Sequence, residues 1–341
     1  MQEINGTPLI NNRKIGVVFN ILSNYFVLFM NKLTIAIISG GVSSERDISI
    51  KSGNQVSSAL DRKKYNVLQY DPKTDLAKLV KDAPKIDAAF IALHGSFGED
   101  GTIQGLLDLL EIPYQGSGVL GSALAINKIA SKQIYQQAGI LTPAFMIQQR
   151  NSLTDADHCI KKLGFPLVVK PATGGSSLGM GLAHSKESLI KAVEAAFEYN
   201  DTILIEEHIK GTELTAGVMG NDNLTAFPLV EIVPDKKFSF FDYEAKYLKG
   251  ATREICPARI TNNLTQKAKK IAKKAHKALF CRGYSRTDMI LYNEEIYVLE
   301  TNTIPGMTST SLLPLAAEKG GLPFKKLVEK LLELGIEAKK K

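Results

Sequence analysis

The chain has 341 residues, 44% apolar and 23% charged and without a low-complexity tract, which is material for two or three folded domains and excludes a disordered chain. A net charge of +7 leaves a polyanionic partner open, but much of the excess sits in two places, the lysines of 267–277 and the tail Lys339 to Lys341. Cys159, Cys256 and Cys281 are odd in number, widely spaced and form no CxxC pair, which argues against a disulfide framework or a thiolate metal site and suits the cytoplasm.

The first apolar stretch, Ile15–Met30, is interrupted by Asn20 and Asn24. A membrane span needs about 20 mostly apolar residues, and no small-residue cleavage site follows to mark a signal peptide. Met30 stands just before the first convincing strand, so residues 1–30 are expected to be a non-native or disordered extension, with a membrane anchor as the less favoured alternative. Thr34–Ser39 (TIAIIS) is a buried-type strand that runs into Gly40 and Gly41 and then a helix from about Ser44 to Leu60. Asp87–Leu93 (DAAFIAL) is a second, ending at His94 and Gly95. Strand–helix alternation predicts a parallel α/β domain with ligands at the carboxyl ends of its strands, and Glu45 and His94 each lie just beyond such an end. A loop at 113–118 leads into a helical region reaching about Ala138.

The middle changes character. Pro166–Lys170 and Met180–Ala183 form a strand pair around a Gly/Ser-rich loop, and a helix follows with Ser185 as N-cap and Glu187 in its first turn. With a further strand at Thr202–Ile209, hairpins plus one helix predict an α+β domain. The last third mixes strands (Leu214–Met219, Ala226–Ile232, Thr287–Leu291, Ile296–Glu300) with a helix in which Leu264, Ala268, Ile271, Ala272, Ala275 and Leu279 recur at helical spacing between lysines. That spacing favours a solvated helix face over a nucleic-acid patch. Phe238–Pro257 is a long polar loop, the usual form of a lid.

Asp288 lies in SRTDMILY, and Glu300 and Asn302 lie in YVLETN; the short turn at 292–295 predicts that these strands pair as a hairpin. With the turn near Asn293 and Glu294, Asp288 and Glu300 fall close to opposite one another, and Asn302 shares the face of Glu300. Such an oxygen-rich cluster suits Mg²⁺ held together with substrate phosphates; a surface hairpin with ordinary charges is the bland alternative. Arg286 shares the face of Asp288, placed for a phosphate or developing negative charge, or for a simple ion pair with Glu300. The loop KPATGGSSLGMG lets backbone N–H groups approach an anion but lacks the ending of a P-loop, so a phosphate cradle and a plain hairpin loop stand level. Lys170 and Lys128 are the candidate phosphate cations.

Six motifs in order resemble the D-alanine–D-alanine ligase family of the ATP-grasp superfamily: SGGVSSERDISIKSG (39–53), ALHGSFGEDGTIQGLLDLL (92–110), VVKPATGGSSLGM (168–180), FFDYEAKY (240–247), SRTDMIL (285–291) and LETNTIPGMTSTSL (299–312). The resemblance spans about 31–335. It implies an ATP-grasp fold of mixed α/β and α+β architecture in three domains: 31–118 a parallel α/β substrate domain, 119–212 a central domain, and 213–341 a catalytic domain with its lid at 238–257. The implied reaction joins two D-alanines with ATP as co-substrate, through a D-alanyl phosphate, for peptidoglycan precursor synthesis. It further implies two Mg²⁺ ions, or Mn²⁺, a homodimer in the cytoplasm, and neither nucleic acid nor membrane as partner.

The same resemblance assigns roles. Lys128, Lys170, Ser176 and Ser177 would contact the ATP phosphates, Glu206, Glu207 and Ile209 the adenine hinge, and Glu213 the ribose. Asp288, Glu300 and Asn302 would bind metal. Glu45 would orient the first D-alanine's ammonium, with His94 near its carboxylate, and Ser311 and Leu312 would receive the carboxylate of the second. Arg286 and the Gly306 N–H would form the oxyanion hole. Glu45, Ser176 and Tyr247 would link lid and site, with Lys246 beside substrate. The EAKY lid pattern resembles dipeptide-forming members rather than those making D-alanyl–D-lactate. Ser96, Phe97 and Ile304 depart from common family residues without touching an implied ligand. Another carboxylate–amine ligase of this superfamily and an idle nucleotide-binding protein are the alternatives; the intact Arg286, Asp288, Glu300 and Asn302 set speaks against the second.

Overall fold

The computed structural model describes residues 32–152, 155–175, 178–234 and 252–339. The extension 1–30, the loop serines Ser176 and Ser177, and Lys246 and Tyr247 lie outside the described residues.

The chain starts as the alternation of its sequence requires. β1 (Leu33–Ile38), α1 (Arg46–Ala59), β2 (Tyr65–Tyr70), α2 (Leu76–Asp82), β3 (Ala88–Ile91) and α3 (Thr102–Leu109) follow one another, and the strands make a parallel sheet in the order β2-β1-β3. β3 is apolar and buried along its whole length and β1 from Ile35 to Ile38, as parallel strands between helices must be. The expected single helical region to Ala138 is two helices, α4 (Val119–Ile126) and α5 (Lys128–Gln137). Asn127 breaks them: its extended backbone ends α4, and its side-chain oxygen accepts the N–H groups of Ile129 and Ala130 to start α5.

β4 (Phe145–Gln149), α6 (Ala156–Leu163), β5 (Leu167–Pro171), β6 (Gly181–Ala183), α7 (Lys186–Phe197) and β7 (Thr202–Glu207) form the second unit, an antiparallel sheet ordered β4-β7-β5-β6. The Ser185 cap is present as a reciprocal capping box with Ser188. The third sheet holds β8 (Thr212–Met219), β9 (Thr225–Ala226), β10 (Val230–Pro234) and β11 (Thr252–Ile255). After α8 (Asn262–Ala278) it is completed by β12 (Tyr284–Tyr292) and β13 (Glu295–Asn302), in the order β11-β10-β8-β12-β13 with β9 on β8. The strand expected at Ala226–Ile232 is therefore two pieces, because Pro228 has no N–H to give a ladder. Part of the expected polar loop is also strand: β11 pairs with β10 at the sheet edge, where Arg253 and Glu254 stay exposed. α8 buries Ala268, Ala272 and Ala275 against Val218, Met289 and Val298, and small side chains let the helix lie close to the sheet while its lysines face out.

After α9 (Leu312–Lys319), α10 (Phe324–Lys339) returns to the first sheet. Its Leu327, Val328, Leu331 and Leu332 are buried with Ile35, Ile37, Val56 and Phe90, each such side chain contributing about 1.5–3 kcal/mol. The carboxyl-terminal helix thus ties the unit of the β12–β13 hairpin to the sheet whose strand ends lead into Glu45 and His94.

Candidate active site

The β12–β13 hairpin turns at Asn293 and Glu294, both at positive φ (47° and 63°), as a two-residue turn matched to strand twist requires. Met289 pairs with Val298 and Asp288 with Glu300, so Leu299 is the extra residue of a β-bulge. The bulge shifts the alternation: Ile296, Val298 and Thr301 are buried, while Glu300 and Asn302 turn to the other side with Arg286 and Asp288. The expected cluster of two carboxylates and a carboxamide is in place.

Asp288 is held by four donors. Arg286 reaches it through Nε and a terminal nitrogen (2.9 and 2.7 Å), Thr215 Oγ1 donates at 2.6 Å and Asn302 Nδ2 at 3.3 Å. Burial opposes the charge of Arg286, but Asp288, then Glu300 and Glu99, hold its pKa above the ordinary value. The guanidinium is fixed in direction before any substrate arrives.

This face forms the wall of a cavity of about 310 Å³, within the usual range of ligand sites. Lys128, Lys170, Glu206, Glu207, Ile209, Glu213, Asp288 and Glu300 all line it. Lys128, at the start of α5, donates to the Gly174 carbonyl at 2.7 Å, which ties the glycine-rich loop to the helix. Glu206 is 2% exposed and its carboxylate meets Lys170 on one oxygen and Lys132 on the other, the latter at 2.8 Å. Glu207 accepts the Ala144 N–H at 2.8 Å, leaving Ile209 and the adjoining backbone as the cavity edge.

A second cavity of about 400 Å³ shares Glu45, Gly175, Arg286, Glu300 and Leu312 with the first. It adds His94, Glu99, Asn302, Gly306 and Ser311. Glu45 needs glycine beside it: a Cβ on Gly175 would come within 2.6 Å of its Oε2. His94 is buried, with Nε2 3.4 Å from Ser52 Oγ, and burial pushes its pKa down despite Glu45. Ser311 stands at the N-cap position of α9 without a side-chain bond to the helix; its Oγ instead accepts the Thr308 N–H at 3.1 Å, beside Gly306.

Two residues escaped the sequence reading. Glu99 lies in HGSFGEDG, where its position gave it no role; it accepts the Gly95 N–H at 2.9 Å, and burial, then Glu45, push its carboxyl up to about 8. Lys132 is one helical turn beyond Lys128, so the two share a side of α5, a signal that the i, i+4 spacing carries.

Residues 134–333 match the family model described as D-ala D-ala ligase C-terminus, and 69–117 that described as D-ala D-ala ligase N-terminus. The chain belongs to the D-alanine–D-alanine ligase family. A D-alanine–D-alanine ligase of Syntrophobacter fumaroxidans is 54% identical over 306 residues, 90% of this chain and 98% of that protein. One from Desulfotalea psychrophila is 51% identical, covering 91% of this chain and 97% of its own. Among solved structures, a D-alanine–D-alanine ligase of Bacillus anthracis complexed with ATP matches with a TM-score of 0.80 at 36% identity, over 90% of this chain and 99% of that one. The three sheets are those of the ATP-grasp fold that the motifs implied.

Proposed function

We propose that the first cavity takes ATP, the second takes two D-alanines, and the residues they share carry the reaction. The enzyme forms D-alanyl-D-alanine for peptidoglycan from two D-alanines and ATP, releasing ADP and phosphate. The observation that carries this reading is the overlap itself: Glu45, Arg286 and Glu300 border both cavities. A carboxylate bound in one can reach a phosphoryl group bound in the other.

Glu45 holds the first ammonium, and the first carboxylate attacks the γ-phosphoryl group to give the D-alanyl phosphate. Lys128 and Lys170 neutralise charge on the phosphates. Asp288, Glu300 and Asn302 are hard oxygen donors that fit Mg²⁺, two ions of it, or Mn²⁺. Among the described residues no three His, Cys, Asp or Glu side chains form a complete cage, so substrate phosphates would supply the remaining ligands. When bound, the metal supplies charge neutralisation at the transferring phosphoryl group.

The second D-alanine's carboxylate binds at Ser311 and Leu312, at the start of α9, where backbone N–H groups and the helix dipole favour an anion. Its amine attacks the acyl carbon, losing its proton into the set of Glu45, Ser176 and Tyr247. Arg286 and the Gly306 N–H stabilise the oxyanion before phosphate leaves. Ser177 and Lys246 complete the loop and lid over a reactive acylphosphate that water must not reach.

Phosphate release from ATP with Mg²⁺, measured with D-alanine, L-alanine or D-lactate, tests the proposal; release that does not depend on D-alanine refutes it. Tyr247→Phe is expected to narrow the preference for D-alanine over D-lactate, and an unchanged ratio refutes its role in selectivity. No helix among the described residues is long and apolar enough to cross a membrane. The proposed setting is the cytoplasm and the proposed assembly a homodimer; sedimentation at the mass of one chain would refute the latter.

A further inference from the structure

Lys132 is 0% exposed, a position lysine occupies only when fully compensated. Its ammonium donates to Thr142 Oγ1 at 2.7 Å and to the Pro143 carbonyl at 3.1 Å, and lies 5.1 Å from the centre of the Phe145 ring. Its remaining contact is the charge contact with Glu206 Oε2 at 2.8 Å. Burial acts to raise the Glu206 pKa, but Lys170 and then Lys132 outweigh it and hold the carboxyl below its ordinary value. For Lys132, burial wins and its pKa is lowered.

The trio is two cations around one anion, all in the interior. A stability role alone would call for a neutral pair, and buried ion pairs add little net stability as a rule. Lys170 and Glu206 face the first cavity and Lys132 does not, so Lys132 acts on whatever fills that cavity through Glu206. Glu206 has two oxygens, and Lys132 holds one of them. With that oxygen held, Glu206 cannot close both on the Lys170 ammonium.

We propose that Lys132 is a positioning residue for ATP: by holding Glu206 it fixes where Lys170 presents its ammonium to the phosphates. This rests on the reading of the first cavity as the nucleotide site. Without Lys132, the remaining Glu206–Lys170 pair is neutral and self-satisfied, and Lys170 is drawn off the phosphates. Lys132→Met keeps the length and volume of the side chain and removes the charge. It leaves no uncompensated ion behind, which protects the fold.

The test is ATP affinity by calorimetry in the presence of Mg²⁺, together with KM for ATP and for D-alanine. Lys132→Met is expected to weaken ATP binding and raise its KM about tenfold, the scale seen for groups one contact removed from a ligand, with KM for D-alanine within about twofold. Thr142→Val, which removes one anchor of the ammonium and keeps its charge, is expected to shift ATP in the same direction by about two- to threefold; it serves alone if Lys132→Met does not fold. Wild-type protein that binds no ATP overturns both the nucleotide reading and this proposal. Wild-type protein that binds ATP, with variants that bind it equally well, overturns the positioning role alone. Equal losses for ATP and D-alanine also overturn it, since they point to general loosening of the fold.

Discussion

His276 makes the stability of the third sheet and its helix α8 depend on pH. The residue sits on the inner face of α8, 0% exposed, with Nδ1 2.7 Å from Ser285 Oγ and no hydrogen-bond partner for Nε2. Burial, with a smaller contribution from Lys277, pushes its pKa down from 6.5 to about 4. Between those values the unfolded chain binds a proton that the folded one excludes, so the native state is favoured by rising pH. The contribution is complete above the unfolded value of 6.5 and is lost as pH falls toward 4. A gap of two to three pH units at about 1.4 kcal/mol each is worth roughly 3 kcal/mol in full, most of which is gone by about pH 4.5. Carboxylates titrate in the same range, so the measurement is a difference. Urea unfolding of wild type and His276→Gln, which keeps a polar group for Ser285 but does not titrate, is compared from about pH 7.5 to 4.5. Wild type is expected to lose roughly 2 to 3 kcal/mol more than the variant over that interval. Parallel stability curves would refute a buried neutral imidazole.

Asp288→Asn and Glu300→Gln each remove one charged oxygen donor from the hairpin face, and turnover is expected to fall by more than about a hundredfold with the circular dichroism spectrum retained; near-normal phosphate release in either variant refutes the metal assignment. Gly175→Ala places a methyl within 2.6 Å of Glu45 Oε2 and is expected to raise KM for D-alanine roughly tenfold, about 1.4 kcal/mol. An unchanged KM would refute the placement of Glu45 against that loop. Asn127→Ala deletes the cap of α5, which two N–H groups use, and is expected to cost about 1 kcal/mol in urea unfolding; an unaltered midpoint would refute the cap.

Much of the fold was legible where local rules act alone. Ser185 with a helix pattern behind it specifies a start, and the buried runs from Ile35 to Ile38 in β1 and from Ala88 to Ile91 in β3 specify a parallel sheet. Harder were the features that depend on what lies across the fold. Arg253 and Glu254 read as loop because an edge strand needs no apolar face, and only the β10 ladder makes them strand. The place of α10 is of this kind, since its packing on Val56 and Phe90 is a contact more than 200 residues distant in sequence. Lys132 belongs to the same class: its spacing from Lys128 is visible, but the carboxylate that makes it useful comes from β7.

The β12–β13 hairpin shows how far parity can be taken. Strict alternation from Ile296 and Val298 carries Glu300 and Asn302 into the core, which would bury a carboxylate beside Ala272 and Met289. Counting outward from the turn in the same way sets Leu299, not Glu300, opposite Asp288. Both difficulties have one physical solution, an extra residue on one strand. The ladder supplies it at Leu299, so the apolar half of β13 seals the core beneath α8 while its polar half faces the cavity. Burial cost therefore selects the bulge: a regular strand would leave a charged oxygen in an apolar layer, whereas the bulge leaves only a local break in the ladder. The identities of Asp288, Glu300 and Asn302 announced an oxygen-rich face, and the bulge is what makes it one face.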